Sequence, residues 1–305
     1  MIGSNKAPDV AGLDTINIDL IYSGLEKLPA EGEEVFSNDF KVAFGGGGVA
    51  TLLQLARLGL DVTAATFIGR DMFSAFAEDF LKNQSVNVIN LYKKGFALNV
   101  SSAMLTPSDR TFVSYGTAAT ISEQEEKLLF DSFRSAKAVL MKTGNIGLYR
   151  KLKNSGCKLI LDVGWSDGLS ISEISEYLCL ADYFTPNKKE ALKLTGKDNV
   201  KEAAEVLSGF FRDVLIKLDK DGCYVLSDGT AFTVPPVSDV KAVDSTGAGD
   251  AFLAGFTYGI VRGESFIKSV KYGNVTGARC VEEYGAVTAV TSYDDLQSAF
   301  DKAYK

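Results

Sequence analysis

The chain has 305 residues, 46% of them hydrophobic and 23% charged, with a net charge of −7, an ordinary globular composition long enough for one large α/β domain with a small appendage. No basic stripe exists to neutralise phosphates, which excludes a nucleic-acid partner but not a small anion held by backbone amides and a metal. Histidine is absent, so Ser-His-Asp and Cys-His catalysis and His-containing metal sites are excluded, and a general base must be Asp, Glu, Lys, Tyr or Cys.

Taken in chain order, "DVAGLDTINIDLIYSG" reads as one or two strands, and "EEVFSNDFKVAFGGGG" as a strand ending at glycines. "VATLLQLARLG" has helical spacing and stops at Gly59. "DVTAATFIG" is a strand, and "DMFSAFAEDFLKNQ" is a helix opened by an Asp. Two β-type runs flank the turn "TPSDR" within 96–120, which predicts an antiparallel hairpin. From "AKAVLMKTG" onward, strands and helices alternate through "KKEALKLTG" and "VKEAAEVLSGF". "DVLIKLDKDGCYVLSDGTAFTVPP" supplies two or three strands, and three helices close the chain. The alternation predicts a mostly parallel sheet with helices on both faces, a single domain over 1–305. The strands in about 14–44 and 96–118 lack intervening helices and are expected to form a small β-sheet lid.

Cys157, Cys179, Cys223 and Cys280 form no CxxC pair and read as buried free thiols of a reducing cytosol. The N-terminus has no basic-then-apolar signal pattern, and no apolar run is long enough to span a bilayer. A cytoplasmic protein without a membrane partner is expected.

The densest motif is "DSTGAGDAF", 244–252. Gly247 and Gly249 permit turn dihedrals and close approach of a ligand to the backbone, and consecutive amides opening a helix make an anion site. Asp250 at that helix start is compatible with plain capping. Its place inside the glycine turn, the second acid Asp244, and the small Ala248 and Ala251 point instead to a base beside an anion hole. No GxxxxGK[ST] loop is present.

"AVDSTGAGDAFLAGF" closely resembles the C-terminal signature of the ribokinase/PfkB family of carbohydrate kinases, and "FGGGGVATLLQLARLG" resembles its N-terminal signature. "TPNKKEALKLTG", "VLIKLDKDGCYVL" and "YGNVTGA" followed by "YGA" resemble further family segments, in family order, from about residue 10 to 295. The resemblance implies a three-layer ribokinase-like fold and transfer of the γ-phosphoryl of ATP to a hydroxyl of a sugar or nucleoside-like polyol. By matching position, Asp250 is the implied base and Gly247, Ala248 and Gly249 the implied anion hole. Asn17, Asp19, Gly45 and Gly46 would bind substrate with Asp250. Asn187, Lys217, Asp219, Gly222 and Asn274 would lie along ATP. Asn187 and Glu190 would organise water around Mg²⁺. Asp244 and Thr246, with carbonyls near Cys280, Glu283 and Gly285, would hold K⁺ or a similar monovalent cation. A homodimer through the lid is also implied.

Read without the family, Asn187–Glu190 is a surface helix cap and Asp19 equally a strand-end turn residue. Asp219 stands where the family has glycine, and only its backbone is expected to matter. A ribokinase-like pattern has lysine at the position of Gly47, asparagine at that of Ala50 and glutamate near Gly144. Their loss removes hydrogen bonds of about 0.5–3 kcal/mol each and argues against ribose. Asn145, Asn99, Ser101 and Met104 are candidates for a different pocket. Trp165 reads as core or cleft wall, and Arg110 as a solvated hairpin tip. Lys41, Arg110 and Lys142 are the basic residues available should the substrate already carry a phosphate. The rival reading is a silent sugar or nucleotide sensor on the same fold.

Overall fold

A computed structural model describes residues 7–91, 95, 98–116, 120–287 and 292–305. The strands are β1 (Val10–Leu13), β2 (Asn17–Ser23), β3 (Asp39–Phe44), β4 (Val62–Thr66), β5 (Val86–Asn90), β6 (Asn99–Leu105), β7 (Arg110–Tyr115), β8 (Ala138–Met141), β9 (Lys158–Leu161), β10 (Tyr183–Phe184), β11 (Asp213–Lys217), β12 (Cys223–Ser227) and β13 (Thr230–Val234). The helices are α1 (Gly48–Arg57), α2 (Met72–Lys82), α3 (Glu123–Phe133), α4 (Ile146–Asn154), α5 (Ile171–Leu180), α6 (Lys188–Thr195), α7 (Val200–Leu207), α8 (Ala248–Val261), α9 (Phe266–Cys280) and α10 (Tyr293–Tyr304). Strand β5 and helix α3 lie in stretches that the sequence reading passes over.

The central sheet has the order β10-β9-β8-β1-β4-β5 and is parallel throughout. Its middle strands are apolar on both faces, as a doubly covered parallel sheet requires. Side-chain alternation divides them between two cores. Ala11, Leu13, Val139, Met141, Leu159 and Leu161 face α3 to α7. Val10, Val62, Ala64, Ala138, Leu140 and Ile160 face α1 and α8 to α10. A parallel bridge between Asn187 and Lys217, with the Lys217 amide on the Pro186 carbonyl at 2.9 Å, brings the antiparallel sheet β11-β12-β13 to the β10 edge.

A four-stranded sheet, β3-β2-β6-β7, stands apart from the central one. Its hairpin β6–β7 is antiparallel, whereas β2 pairs β6 in parallel. A third core cluster, including Ile16, Ile18, Phe44, Val49, Leu53 and Leu98, joins this sheet to α1. Residues 14–16 link the two sheets outside any strand, and 96–97 and 117–118 of the expected lid ranges lie outside the described residues.

Two side chains differ from expectation. Cys179 is exposed, on the outer face of α5, while the other three cysteines are buried. Trp165 is 57% exposed in the loop after β9, because the strand ends at Leu161 and the loop leaves the core. No helix among the described residues is long and apolar enough to cross a membrane.

Helix α8 is buried from Ala251 to Ile260 and lies against α9 through glycines. A Cβ on Gly255 would come within 2.3 Å of Thr276 Oγ1 and 2.5 Å of the Tyr272 carbonyl oxygen. Gly255→Ala is therefore expected to destabilise by about 1–3 kcal/mol through overpacking, despite a helix-propensity gain of about 1 kcal/mol. A urea-unfolding midpoint equal to or above wild type would contradict that contact.

Candidate active site

In the order β10-β9-β8-β1-β4-β5 the chain reverses direction between β1 and β8, the position where open α/β sheets bind ligands beyond the strand C-termini. The residues just past β1, β8 and β9 are Asp14, Lys142 and Asp162. The Lys142 ammonium donates to Asp162 Oδ2 at 2.6 Å and lies 3.9 Å from Asp14 Oδ2. Burial would lower its pKa, but Asp162, Asp14 and Asp250 outweigh that and hold it well above its ordinary value.

Helix α1 opens beside this cluster without a side-chain cap of its own. Two distant carboxylates meet its first amides. Gly47 N–H donates to Asp250 Oδ2 at 2.8 Å, and Gly48 N–H to Asp14 Oδ2 at 2.6 Å. Negative charge at a helix N-terminus is favourable for both. The bareness of the glycine run follows from this crowding. A Cβ would lie 2.8 Å from both Asp19 oxygens at Gly45, 2.6 Å from Asp250 Oδ2 at Gly46 and 2.7 Å from Asp14 Oδ2 at Gly48. Gly47 also has φ +112, which side chains rarely adopt. Asn17 Nδ2 donates to the Gly46 carbonyl at 2.6 Å and Asn17 Oδ1 accepts from Asn99 at 2.8 Å, so Asn17 ties β2 and β6 to the run.

The turn before α8 approaches from the opposite side. Gly247 is left-handed at φ +77, and a Cβ there would meet Ala286 Cβ at 2.5 Å. Amides of 247–249 thus open α8 at the place where Asp250 turns back to Gly47. Lys217 Nζ lies 3.5 Å from the position of a Gly249 Cβ and 5.7 Å from the Phe252 ring centroid. Its side chain, and not only its strand, reaches the turn.

Burial raises the pKa of Asp250; Lys142, the Gly47 amide and Lys217 oppose that, Asp162 reinforces it, and the net shift is upward. Asp19, 6% exposed, is pushed up to about 6 by burial and then by Asp244 and Asp250. No hydrogen-bond donor among the described residues offsets those three influences.

Asn187 and Glu190 form a capping box on α6, Glu190 N–H donating to Asn187 Oδ1 and Asn187 N–H to Glu190 Oε2. The cap is not a surface one. Glu190 is buried, which raises its pKa against the pull of nearby Lys217. Asp219 is exposed at φ +53, a left-handed conformation that Asp tolerates where glycine is commonplace. Gly222, at φ +85, has the Val234 carbonyl oxygen 2.2 Å from a would-be Cβ. Asn274 spends its amide on the Pro235 carbonyl and the Tyr304 hydroxyl, so its side chain braces α9 against α10.

Arg110 is not a solvated tip. It donates to Asp244 Oδ1 and Thr246 Oγ1, both at 3.0 Å. Gly285 N–H reaches Asp244 Oδ2 at 3.0 Å. The Cys280 thiol donates to the Thr246 carbonyl at 3.4 Å and is pushed up to about 12 by burial, then by Asp250 and Asp244. Glu283 is exposed. Lys41 is also exposed; with Lys142 and Arg110 each engaged by acids, the three cations do not converge on a common anion site.

Asp14 and Asp162 were missed as site residues. The available signal was a charged residue directly after each apolar strand, "LD", "MK" and "LD", at adjacent strands of one parallel sheet.

The pfkB family carbohydrate kinase pattern matches residues 7–292. A ribokinase of Haemophilus influenzae is 27% identical over 95% of this chain and 98% of its own. A 5-dehydro-2-deoxygluconokinase of Clostridium tetani is 26% identical over 96% and 92%. The ribokinase of Arabidopsis thaliana, solved with ribose and ATP, superposes with a TM-score of 0.80 at 22% identity, covering 97% of this chain and 99% of that one. The chain belongs to the pfkB family of carbohydrate kinases. It is a phosphotransferase with an alcohol group as acceptor, and the family implies ATP carried with a divalent metal.

The pH behaviour of Asp19 can be checked without knowing the sugar. Its folded pKa of about 6 lies above the ordinary 3.8, so the unfolded chain releases the proton first. The resulting penalty grows as pH rises through that window and is complete above it. Asp19→Asn is expected to stabilise by about 1–3 kcal/mol at slightly alkaline pH, with the gain shrinking toward acid pH. An unchanged or lower melting temperature at alkaline pH would contradict the crowding of acids.

Proposed function

We propose that this kinase phosphorylates a hydroxyl of a sugar or sugar-like polyol lying between the four-stranded sheet and the glycine run. The observation that carries the reading is the Asp250 carboxylate, oriented by the Gly47 amide and adjoining both the 247–249 turn and the acid Asp19. Asp19 would accept hydrogen bonds from two sugar hydroxyls, and such charge-assisted bonds are the strong kind. Asn17 would hold the carbonyl-lined floor beneath. The hydroxyl nearest Asp250 gives its proton to that carboxylate as its oxygen attacks the γ-phosphorus, and the bond from that phosphorus to the β,γ-bridging oxygen breaks to release ADP. The amides of Gly247, Ala248 and Gly249, at the positive end of α8, receive the charge of the transferred group. Phosphoryl transfer asks for positioning and charge stabilisation more than for a strong base, which suits a single carboxylate held by one amide.

Lys217 would contact the phosphates from the β11 side, with Asn187 and Gly222 along the nucleotide. The exposed Asp219 would contribute backbone alone, and Asn274 would act by bracing the wall. Among the described residues no three metal-ligating side chains converge. That donor set fits a Mg²⁺ that keeps its waters and travels with the phosphates, Glu190 and Asn187 holding its water. The ion supplies neutralisation of phosphate charge. Among the described residues Asp14, Asp19, Asp162, Glu190, Asp244 and Asp250 outnumber the cations Lys142, Lys217 and Arg110 that interact with them, so a bare nucleotide anion would be repelled.

Ribose is not the substrate inferred. At Gly47, where a ribokinase-like pattern has lysine, the backbone is left-handed at φ +112 and a Cβ would stand 3.2 Å from Asn17 Nδ2, and Ala50 is buried and apolar. The named relatives themselves act on different sugars. A cytosolic setting fits the ATP requirement and the free thiols. A lid-to-lid dimer fits the exposed Phe40, Phe112 and Val113 of the four-stranded sheet.

Asp250→Asn is expected to lower ADP release on the responsive sugar of a pentose, hexose, keto-sugar and nucleoside panel by roughly 10²–10⁴-fold. MgADP binding by calorimetry should be largely kept. Near-normal turnover in that variant would remove Asp250 from the base role, and binding without any turnover by the wild type would favour a silent sensor.

A further inference from the structure

The carboxylate of Asp244 is buried, and a buried charge persists only when paired and hydrogen-bonded. Both of its oxygens accept hydrogen bonds, three of them on Oδ1 and one on Oδ2. Oδ1 accepts from Arg110 Nη1 at 3.0 Å, from Thr246 N–H at 2.9 Å and from the Thr246 hydroxyl at 2.7 Å, and Oδ2 accepts from Gly285 N–H at 3.0 Å. The same Nη1 reaches Thr246 Oγ1 at 3.0 Å. Asp244 Oδ1 and the Thr246 hydroxyl, in two of the residues that the family resemblance assigns to a monovalent metal ion, are thus occupied by a guanidinium, and a metal ion at those two atoms would meet its positive charge.

Arg110 is held for this task. It is the first residue of β7, directly after a turn closed by Thr106 Oγ1 on the Asp109 carbonyl, and its amide donates to Asp109 Oδ1. Its guanidinium sits 5.6 Å from the Phe112 ring centroid, a cation–π shelf. Thr246 directly precedes the 247–249 turn, so whatever fixes the charge of Asp244 also fixes the start of that turn. A solvent-open cavity of about 590 Å³, lined in part by Leu25, Asn38, Arg110, Ser245 and Tyr284, lies alongside and gives small ions access to Asp244.

We propose that Arg110 serves as the built-in cation of the anion hole, replacing a monovalent metal ion and making the turn complete only when the four-stranded sheet lies down on it. Arg110 is then a positioning residue that acts through Asp244 and Thr246. The proposal rests on the kinase reading for its effect on turnover, and on geometry alone for its effect on stability.

The test uses the full chain, wild type and Arg110→Ala, in a tetramethylammonium buffer against K⁺ or guanidinium at equal ionic strength. Melting temperature and ADP release on the responsive sugar are both read. The wild type is expected to change less than about twofold in turnover and to keep its melting temperature when K⁺ is added, because the site is already paired. Arg110→Ala is expected to melt lower and to lose on the order of 10²-fold in turnover by misplacing the turn. K⁺ or guanidinium should restore part of both, and Arg110→Ala/Asp244→Asn should not respond. A wild type strongly activated by K⁺, or an Arg110→Ala defect that no cation relieves, would overturn the proposal. If the wild type turns over no sugar, the kinase reading fails, while cation-dependent melting of Arg110→Ala still decides this one.

Discussion

One hydrogen bond joins the two ends of the functional architecture. The Gly47 amide donates to Asp250 across 203 residues of sequence, tying the first turn of α1 to the first turn of α8. Both helices open without a side-chain cap of their own. Each therefore turns the positive end of a dipole toward the same space, and the Gly47 and Gly48 amides of α1 find their partners in the distant carboxylates Asp250 and Asp14. One amide of α1 is spent on orienting Asp250, and of those opening α8, Ala248 N–H reaches the Ser245 carbonyl at 3.3 Å; in the proposed reading a ligand would meet these amides at closer range. The Thr51 hydroxyl, reaching the Asp250 carbonyl at 3.3 Å, adds a second tie between the helices. The bare glycines at 45–48 follow from that arrangement, since a side chain at Gly45, Gly46 or Gly48 would strike a carboxylate and Gly47 is left-handed.

The site gathers acids at a cost. Burial and mutual repulsion raise Asp19 and Asp250 above their ordinary values, and the pairing of Lys142 with Asp162 and Asp14 offsets only part of the charge. Functional sites commonly carry such perturbed groups, and stability is drawn from elsewhere. Here the compensation lies in the two cores on either side of the parallel sheet and in the glycine-mediated contact of α8 with α9. A sugar that donates to Asp19, and a metal-bound nucleotide that meets the acids near β9 and α6, would relieve the repulsion on binding.

Much of the fold was legible because alternation of apolar runs and helical spacing is a local signal. Strands β1, β4, β8 and β9 and helices α1, α4 and α8 could be read from a few residues each. Strand β5, "VNVIN", is a half-exposed edge with mixed polarity, and α3 opens on the polar run "EQEEK", so neither stands out by periodicity. The motif around Asp250 was legible for the same local reason. Its partners were not. Asp14, Lys142 and Asp162 meet only because the strand order brings three strand ends together. Likewise Arg110 lies 134 residues from Asp244, and nothing in "TPSDR" indicates that its hairpin is long enough to reach the turn. The full use of Asn274 by Pro235 and Tyr304 was equally invisible, since helical position says nothing of a neighbour from another helix.

The central claim is that Asp250, fixed by Gly47, stands between the sugar and the 247–249 amides. A crystal structure with MgADP, aluminium fluoride and the responsive sugar tests it most directly. The account predicts a sugar hydroxyl within hydrogen-bonding distance of Asp250, a diol on Asp19 and the fluoride group on the amides opening α8. A sugar bound elsewhere, for instance in the cavity beside Tyr284, with Asp250 still closed onto Gly47 and no ligand against it, would contradict it.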